Sequence, residues 1–329
     1  MKNILIFFLS TFFVKNMNAQ FAPQAEMFGS NAIHKDSNIF NSWGNKCEII
    51  RGWQNIADTS FGKVSTGDTL DANNKADGMI VSLGDGGEAI YYFDNPIING
   101  TGADFAIFEN GFRNPTDSNL AYLELATVEV SNDGINYFSF QAESFIDTST
   151  QIAGVGEYID CRKINNLAGK YIASYGTPFD LDELSTILSL DVNNIRYVKI
   201  KDVVGSLAKE NCSFDKNNFM INDPYPTPFP TGGFDLDAIG IIHQLYPTNT
   251  TTINFEDEIS FYPNPCKDFI YFKNINNFKK IKIFSVDGKL ILHQEISNKL
   301  DIQFLNNGIY FLKIEKSDGT MYSKKLWKQ

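Results

Sequence analysis

The sequence predicts an all-β protein, and three observations carry the prediction. Apolar residues come in short alternating runs rather than at helical spacing, and those runs are separated by Gly, Asn, Asp and Pro. Turn-forming pairs such as Asn-Asp-Gly lie between neighbouring runs. One segment alone, Asp180–Leu188, has the acidic first turn and spacing of a helix start.

Taken in order, the stretch from Gln20 to Asn55 is polar and irregular, with Trp43 and Trp53 as its large apolar anchors, and Phe61–Asp77 reads as a loop. Met79–Leu83 is the first clear strand. Gly84-Asp85-Gly86-Gly87 then makes a tight hairpin turn into Glu88–Phe93, because glycine adopts positive φ without a Cβ penalty. Asp104–Glu109 is a strand ended by an Asn110-Gly111 turn. Thr127–Ser131 and Ile135–Phe140 flank Asn132-Asp133-Gly134 as a hairpin, and Ile195–Lys201 alternates as a further strand. Asn222–Pro230 is too rich in proline to sit inside a sheet, so a rigid surface loop is expected. Phe234–Ile242 closes the domain as a strand. Beyond a polar stretch at Tyr246–Asp257, short β units at Ile270–Phe272, Lys280–Phe284, Leu290–Leu292 and Ile309–Leu312 suffice for one small antiparallel sandwich.

The first nineteen residues have a secretory signal layout: Lys2, an apolar centre from Ile4 to Val14, and Ala19 before an expected cut at Gln20. No other stretch is long and apolar enough to cross a membrane as a helix. Charge divides unevenly. Residues 20–256 carry 14 Lys or Arg against 31 Asp or Glu, about −17, whereas residues 257–329 carry 12 against 8, or +4. An acidic field repels phosphate backbones, which argues against a nucleic-acid partner and suits solubility, a cation or a neutral ligand. The organisation expected is a signal peptide at 1–19, a cargo domain at 20–245, a linker at 246–257 and a tail domain at 258–329. Cys47, Cys161, Cys212 and Cys266 have neither zinc nor redox spacing. Three cysteines in the cargo permit at most one internal disulfide, and free thiols are the alternative.

The tail contains Tyr262-Pro263-Asn264-Pro265, Val286-Asp287-Gly288-Lys289, Asn307-Gly308-Ile309-Tyr310 and the basic Lys324-Lys325. In combination these resemble the type A C-terminal sorting domain of the Bacteroidota type IX secretion system. The resemblance implies an immunoglobulin-like sandwich and engagement of the secretion machinery through residues 258–329. It also implies passage by way of the periplasm to the outer surface, where the cargo is anchored or released. More loosely, Thr127–Phe140, Ile195–Val203 and Phe234–Ile242 resemble strands of discoidin-type, galactose-binding-like jelly rolls, which implies a jelly-roll-like β-sandwich for the cargo. That fold by itself specifies no function.

Asp235 and Asp237 stand two apart on a strand, so both are expected on one face, where hard oxygen donors can share a Ca²⁺ ion. Glu109, Asn110, Asp215, Asn217 and Asp223 are candidates to complete it, and jelly rolls of the resembled kind often hold a structural Ca²⁺. Trp53, Tyr122, Tyr225 and Phe229 lie in or beside loops and are the candidates for stacking on a sugar or another small ligand. No nucleophile elbow, zinc-protease motif or phosphate-cradling glycine loop is present, and no catalytic residue is assigned. The expected role is therefore a secreted or cell-surface binding or adhesion protein for a glycan or small ligand. A carbohydrate-active hydrolase or lyase, with paired carboxylates such as Glu109 and Asp235, and a purely structural surface component are the alternatives.

Overall fold

The computed structural model describes residues 21–154, 156–245, 259–273, 275, 278–317 and 321–329. The expected signal peptide and linker lie outside these. The described residues fall into two compact units, one on either side of the linker, and each is a β-sandwich.

In the cargo, one sheet runs in the order Ile33–His34, Tyr175–Phe179, Phe105–Glu109, Asp235–Ile241, Ser42–Trp43, with Val81–Ser82 also paired to Asp235–Ile241. The other runs Phe138–Ser139, Ala126–Ser131, Ile195–Asp202, Glu88–Ile97, Cys47–Ile50. Every pairing in both sheets is antiparallel. Alternation places Ala89, Tyr91 and Phe93 of one sheet and Phe105, Ile107, Ile239 and Ile241 of the other in a shared, fully buried core. Phe105, Phe140 and Phe179 pack as a ring cluster, Phe105 and Phe179 with centroids 5.4 Å apart. Each such side chain contributes roughly 1.5–3 kcal/mol by leaving water. A second core, with Leu123, Leu125, Ile164, Leu167 and Tyr171, lies under a smaller sheet of Ile159–Asp160, Leu120–Tyr122 and Phe112–Arg113.

The hairpin at Asn132-Asp133-Gly134 forms as expected, with Phe138 opposite Val130. Gly84–Gly87 does not make a hairpin. Val81–Ser82 pairs in one sheet and Glu88–Ile97 in the other, so the glycines turn a corner between sheets. Crowding explains the glycine at its end: a Cβ on Gly87 would lie 2.0 Å from the Leu83 carbonyl oxygen. The helical segment shrinks to a 3₁₀ turn at Leu181–Leu184, with Asp180 accepting from the Asp182 amide at its start. The Pro-rich loop forms no strand, but Asn222, Asp223, Pro224 and Thr227 are buried rather than on the surface. Asn222 explains part of this, since its amide bonds the Asp147 and Thr150 carbonyls. All four cysteines are free thiols.

The tail packs Ser260–Tyr262, Phe269–Lys273 and Lys299–Asp301 against a sheet ordered Leu290–Glu295, Phe278–Ser285, Gly308–Lys316, Met321–Lys328. Their facing residues, Ile270, Phe272 and Leu300 against Ile281, Ile283, Leu312 and Leu326, form its core. Three of the four motifs that mark the tail have distinct mechanical roles here. Gly288 at φ 81° turns the 278–295 hairpin, and Gly308 opens the penultimate strand. Asn264 clasps the last strand: its amide donates to Lys325 O at 2.9 Å and its carbonyl accepts from Trp327 N at 2.8 Å.

Candidate functional site

The smaller cargo sheet builds the platform of the candidate site. Phe112 and Tyr122 are directly opposed across it, so their rings stack with centroids 5.1 Å apart and planes 17° from parallel. Tyr158 meets Phe112 edge-on. From Tyr122 the alternation runs on. Leu123 and Leu125 enter the second core, while Tyr122 and Glu124 share the other side and meet through a Tyr122 hydroxyl to Glu124 Oε1 contact of 3.4 Å.

The central strands supply the far wall. Register sets Asp235 opposite Ser82 and Leu236 opposite Glu109. Asp235 accepts from the Ser82 hydroxyl and, at 2.8 Å, from the Asn110 amide. Thr227 and Phe229 of the Pro-rich loop, with Thr231 just after it, complete the hollow. Its volume is about 220 Å³, and Asn110, Phe112, Tyr122, Glu124 and Asp235 line the remainder. Larger hollows exist, of about 310 Å³ beside Lys170, Asp180 and Glu183 and about 410 Å³ beside Phe140, Phe214 and Lys216. Neither is lined by a stacked ring pair next to buried carboxylates.

Electrostatically the site is unusual. Glu109, Glu124, Asp202, Asp223 and Asp235 are all at most 5% exposed. Burial is the first cause of the raised pKa of each. It pushes Asp235 up to about 6, with the Ser82 and Asn110 bonds and the charge of Arg51 opposing it. Glu109 and Glu124 are pushed well above the usual carboxylate range, by burial and then by the charge of Asp235. Asp202 and Asp223 rise likewise. Glu109 Oε2 accepts from the Gly111 amide at 2.8 Å, but among the described residues Glu109 Oε1 and Asp223 Oδ1 have no hydrogen-bond partner.

Two of the aromatic candidates, Tyr122 and Phe229, therefore meet in one hollow. Trp53 instead forms bridges to Lys63 and Asp85, under the Lys63 ammonium, and Tyr225 donates its hydroxyl to Asn55; neither lines the hollow. Of the metal candidates, Asp235 and Glu109 come together, but Asp237 faces a different loop and accepts from the Asp77 and Gly78 amides. Asp215 caps a turn by accepting from Ser144, Asn217 and Phe219, and Asn217 is exposed. Among the described residues no group of three His, Cys, Asp or Glu side chains is placed to hold a metal ion. His243 is committed to Asp104, with Nδ1 and Oδ1 2.7 Å apart. Phe112, Glu124, Thr227 and Thr231 escaped the sequence reading. Glu124 had a signal, a lone charge inside the apolar run Ala121–Ala126.

Residues 260–329 match the family model described as the secretion system C-terminal sorting domain. The chain thus carries the tail that directs type IX secretion, which implies engagement of that machinery and a secreted or cell-surface destination. No helix among the described residues is long and apolar enough to cross a membrane. No curated protein matches the chain. Two solved structures are similar to it at low identity, the β-glucuronidases of Lactobacillus rhamnosus and Parabacteroides merdae. Identity is 11% and 9%, over 74% and 91% of this chain and 36% and 35% of theirs. The chain thus spans little more than a third of either, and a TM-score of 0.19 in both cases carries no argument.

Proposed function

We propose that the cargo domain is a surface-delivered binding module for a carbohydrate-class ligand, held in the hollow between Tyr122, Phe229 and Asp235. The stacked Phe112–Tyr122 pair is the observation that carries this reading. A flat pair of rings presents an apolar face to the C–H side of a sugar. Asn110, Thr227, Thr231 and the two carboxylates surround it with hydrogen-bonding groups for hydroxyls. At about 220 Å³ the hollow suits one small unit rather than a long chain in section. The galactose-binding-like character of the cargo belongs to the same proposal, supported by two facing antiparallel sheets.

One observation favours a second reading, a glycoside hydrolase or lyase. Glu124 and Asp235 are two buried carboxyls lining one hollow, the pair of groups such chemistry uses. A glycan array and a polysaccharide-degradation screen on the full chain separate the two. Binding without turnover supports the module, turnover supports the enzyme, and silence in both leaves a structural surface component. Adding Ca²⁺ or a chelator to each arm tests whether calcium supports the fold or the site.

A further inference from the structure

A second hollow of the cargo, sharing no lining residue with the carbohydrate site proposed above, holds a buried positive charge. Its volume is about 310 Å³, and Lys170 and Thr177, each 3% exposed, are the most buried of the side chains that line it. The Lys170 ammonium donates to the Ile164 carbonyl at 2.9 Å and lies within 5.7 Å of the Phe21 and Tyr171 ring centres. Among the described residues no carboxylate pairs with it. Cys161, which interacts with it, is a buried thiol pushed up to about 11 and stays uncharged at neutral pH. Burial lowers the Lys170 pKa to about 8, so the amine is still mostly protonated at pH 7. Thr177 stands opposite Ile107, a core residue, so its side chain points inward. Its hydroxyl is buried and, among the described residues, has no hydrogen-bond partner. A buried unpaired ammonium and a buried idle hydroxyl both cost stability, and they line one concavity. Toward solvent the lining changes sign. Glu183 is exposed and Asp180 half-buried, and neither enters an ion pair among the described residues. Burial raises the Glu183 pKa and the bond from the Asn166 amide opposes it, but the exposed side chain keeps much of its hydration.

We infer that this hollow takes a free α-amino acid, with its carboxylate on the Lys170 ammonium and the Thr177 hydroxyl and its ammonium toward Asp180 and Glu183. The carboxylate accepts from both unused donors and neutralises the buried charge, where water competes poorly and a charge-assisted bond is strong. A plain anion would meet two carboxylates at the mouth, and a plain amine would leave Lys170 unpaired. A small zwitterion answers both ends. The amides of Asn31 and Asn165 line the remainder and favour a polar side chain.

The test is a thermal-shift survey of the full chain at pH 7 with each of the twenty proteinogenic amino acids at millimolar concentration, followed by calorimetric titration of the best. At least one is expected to raise the cargo Tm. Its carboxamide, which lacks the carboxylate, and its N-acetyl derivative, which lacks the ammonium, should each bind at least tenfold more weakly. Lys170→Met should weaken binding at least tenfold while raising the Tm of the ligand-free chain, because it removes an unpaired buried charge. Thr177→Val should weaken binding several-fold, and with the two derivatives it decides the matter where Lys170→Met fails to fold. A survey in which no amino acid shifts the Tm overturns the inference. So does a bound amino acid whose affinity neither substitution changes, since the ligand then sits elsewhere. Equal binding of the N-acetyl derivative overturns it too, and makes the hollow a plain carboxylate site. Both substitutions lie outside the Tyr122–Phe229 hollow, so glycan binding there should be unaltered, and failure here leaves that reading standing.

Discussion

Raising the pH from 4.5 to 8 should destabilise the cargo domain, and the buried carboxyls set the size of the effect. Asp85 and Asp235, both at most 5% exposed, are pushed from an ordinary 3.8 up to about 6 by burial. A folded-state pKa above the unfolded one means that the native state holds its proton longer. The stabilising contribution is then complete below the unfolded value and lost as pH rises through about 6. At about 1.4 kcal/mol per pH unit between the unfolded and folded values, each carboxyl loses up to about 3 kcal/mol in all, of which about 2 kcal/mol falls between pH 4.5 and 8. For a domain of this size that corresponds to about 4–8 °C in Tm per group over the interval. Glu109, Glu124, Asp202 and Asp223 are raised from the same first cause and act with the same sign. Surface carboxyls such as Asp133, held below the usual range by the Asn136 and Ile135 amides, lose their contribution only at lower pH and do not offset the trend. Differential scanning calorimetry of the full chain at pH 4.5, 6 and 8, with Asp235→Asn alongside, provides the readout. The native cargo transition should fall steeply between pH 4.5 and 8, and Asp235→Asn should fall less. A native Tm that is flat or rises over this interval, with the variant unchanged in slope, would refute the argument from burial.

Three further outcomes are expected. Phe229→Ala removes a half-exposed ring from the rim of the hollow, so glycan affinity should drop about fivefold to tenfold with Tm unchanged. Equal affinity would place the ligand elsewhere. Asn264→Ala severs both bonds to the last strand and should lower the stability of the tail by about 1 kcal/mol. Retention of the protein in the periplasm of the native host should rise in parallel, and unaltered export would show that the clasp is dispensable to sorting. Gly87→Ala sets a methyl against the Leu83 carbonyl and should destabilise the cargo by roughly 1–3 kcal/mol in urea unfolding, whereas a neutral change would mean that the corner relaxes.

Legibility followed the range of the interactions. Alternation is local, so the Ala126–Ser131 and Ile195–Asp202 strands could be read, as could the tail, whose turns Asp287-Gly288 and Asn307-Gly308 lie next to the strands they serve. The Gly84–Gly87 corner could not, because turn residues specify a reversal of the chain and not the sheet in which the next strand finds its partner. Tyr122 and Phe229 were visible as loop aromatics, but their meeting depends on a fold contact across about a hundred residues. The same holds for Asp235 and Asp237. Their two-residue spacing was read as a shared face, yet the register shifts between Leu236 and Ala238, and the two carboxylates serve Ser82 with Asn110 and the Asp77–Gly78 amides respectively.

The buried acids also bear on why the cargo and tail differ so sharply in charge. A net −17 over residues 20–256 would serve solubility if it lay on the surface, where each charge is well hydrated and costs little. Part of it does not lie there. Five carboxyls sit inside the domain as one interacting group, two of which, Glu124 and Asp235, line the hollow; there they oppose folding at neutral pH, where apolar side chains of similar volume would pack without that cost. The same side chains are spread over separate segments, from Glu109 on a central strand to Asp223 in the Pro-rich loop, so no single local turn accounts for their convergence. Stability given up at buried carboxyls beside an aromatic pair is what the proposed binding site would require if it is organised before its ligand arrives. Nothing comparable occurs among the described residues of the tail, whose core cluster is apolar and whose sequence charge is +4 over residues 257–329. Delivery is thus the work of an ordinary stable sandwich, and the strained chemistry is confined to the part that is delivered.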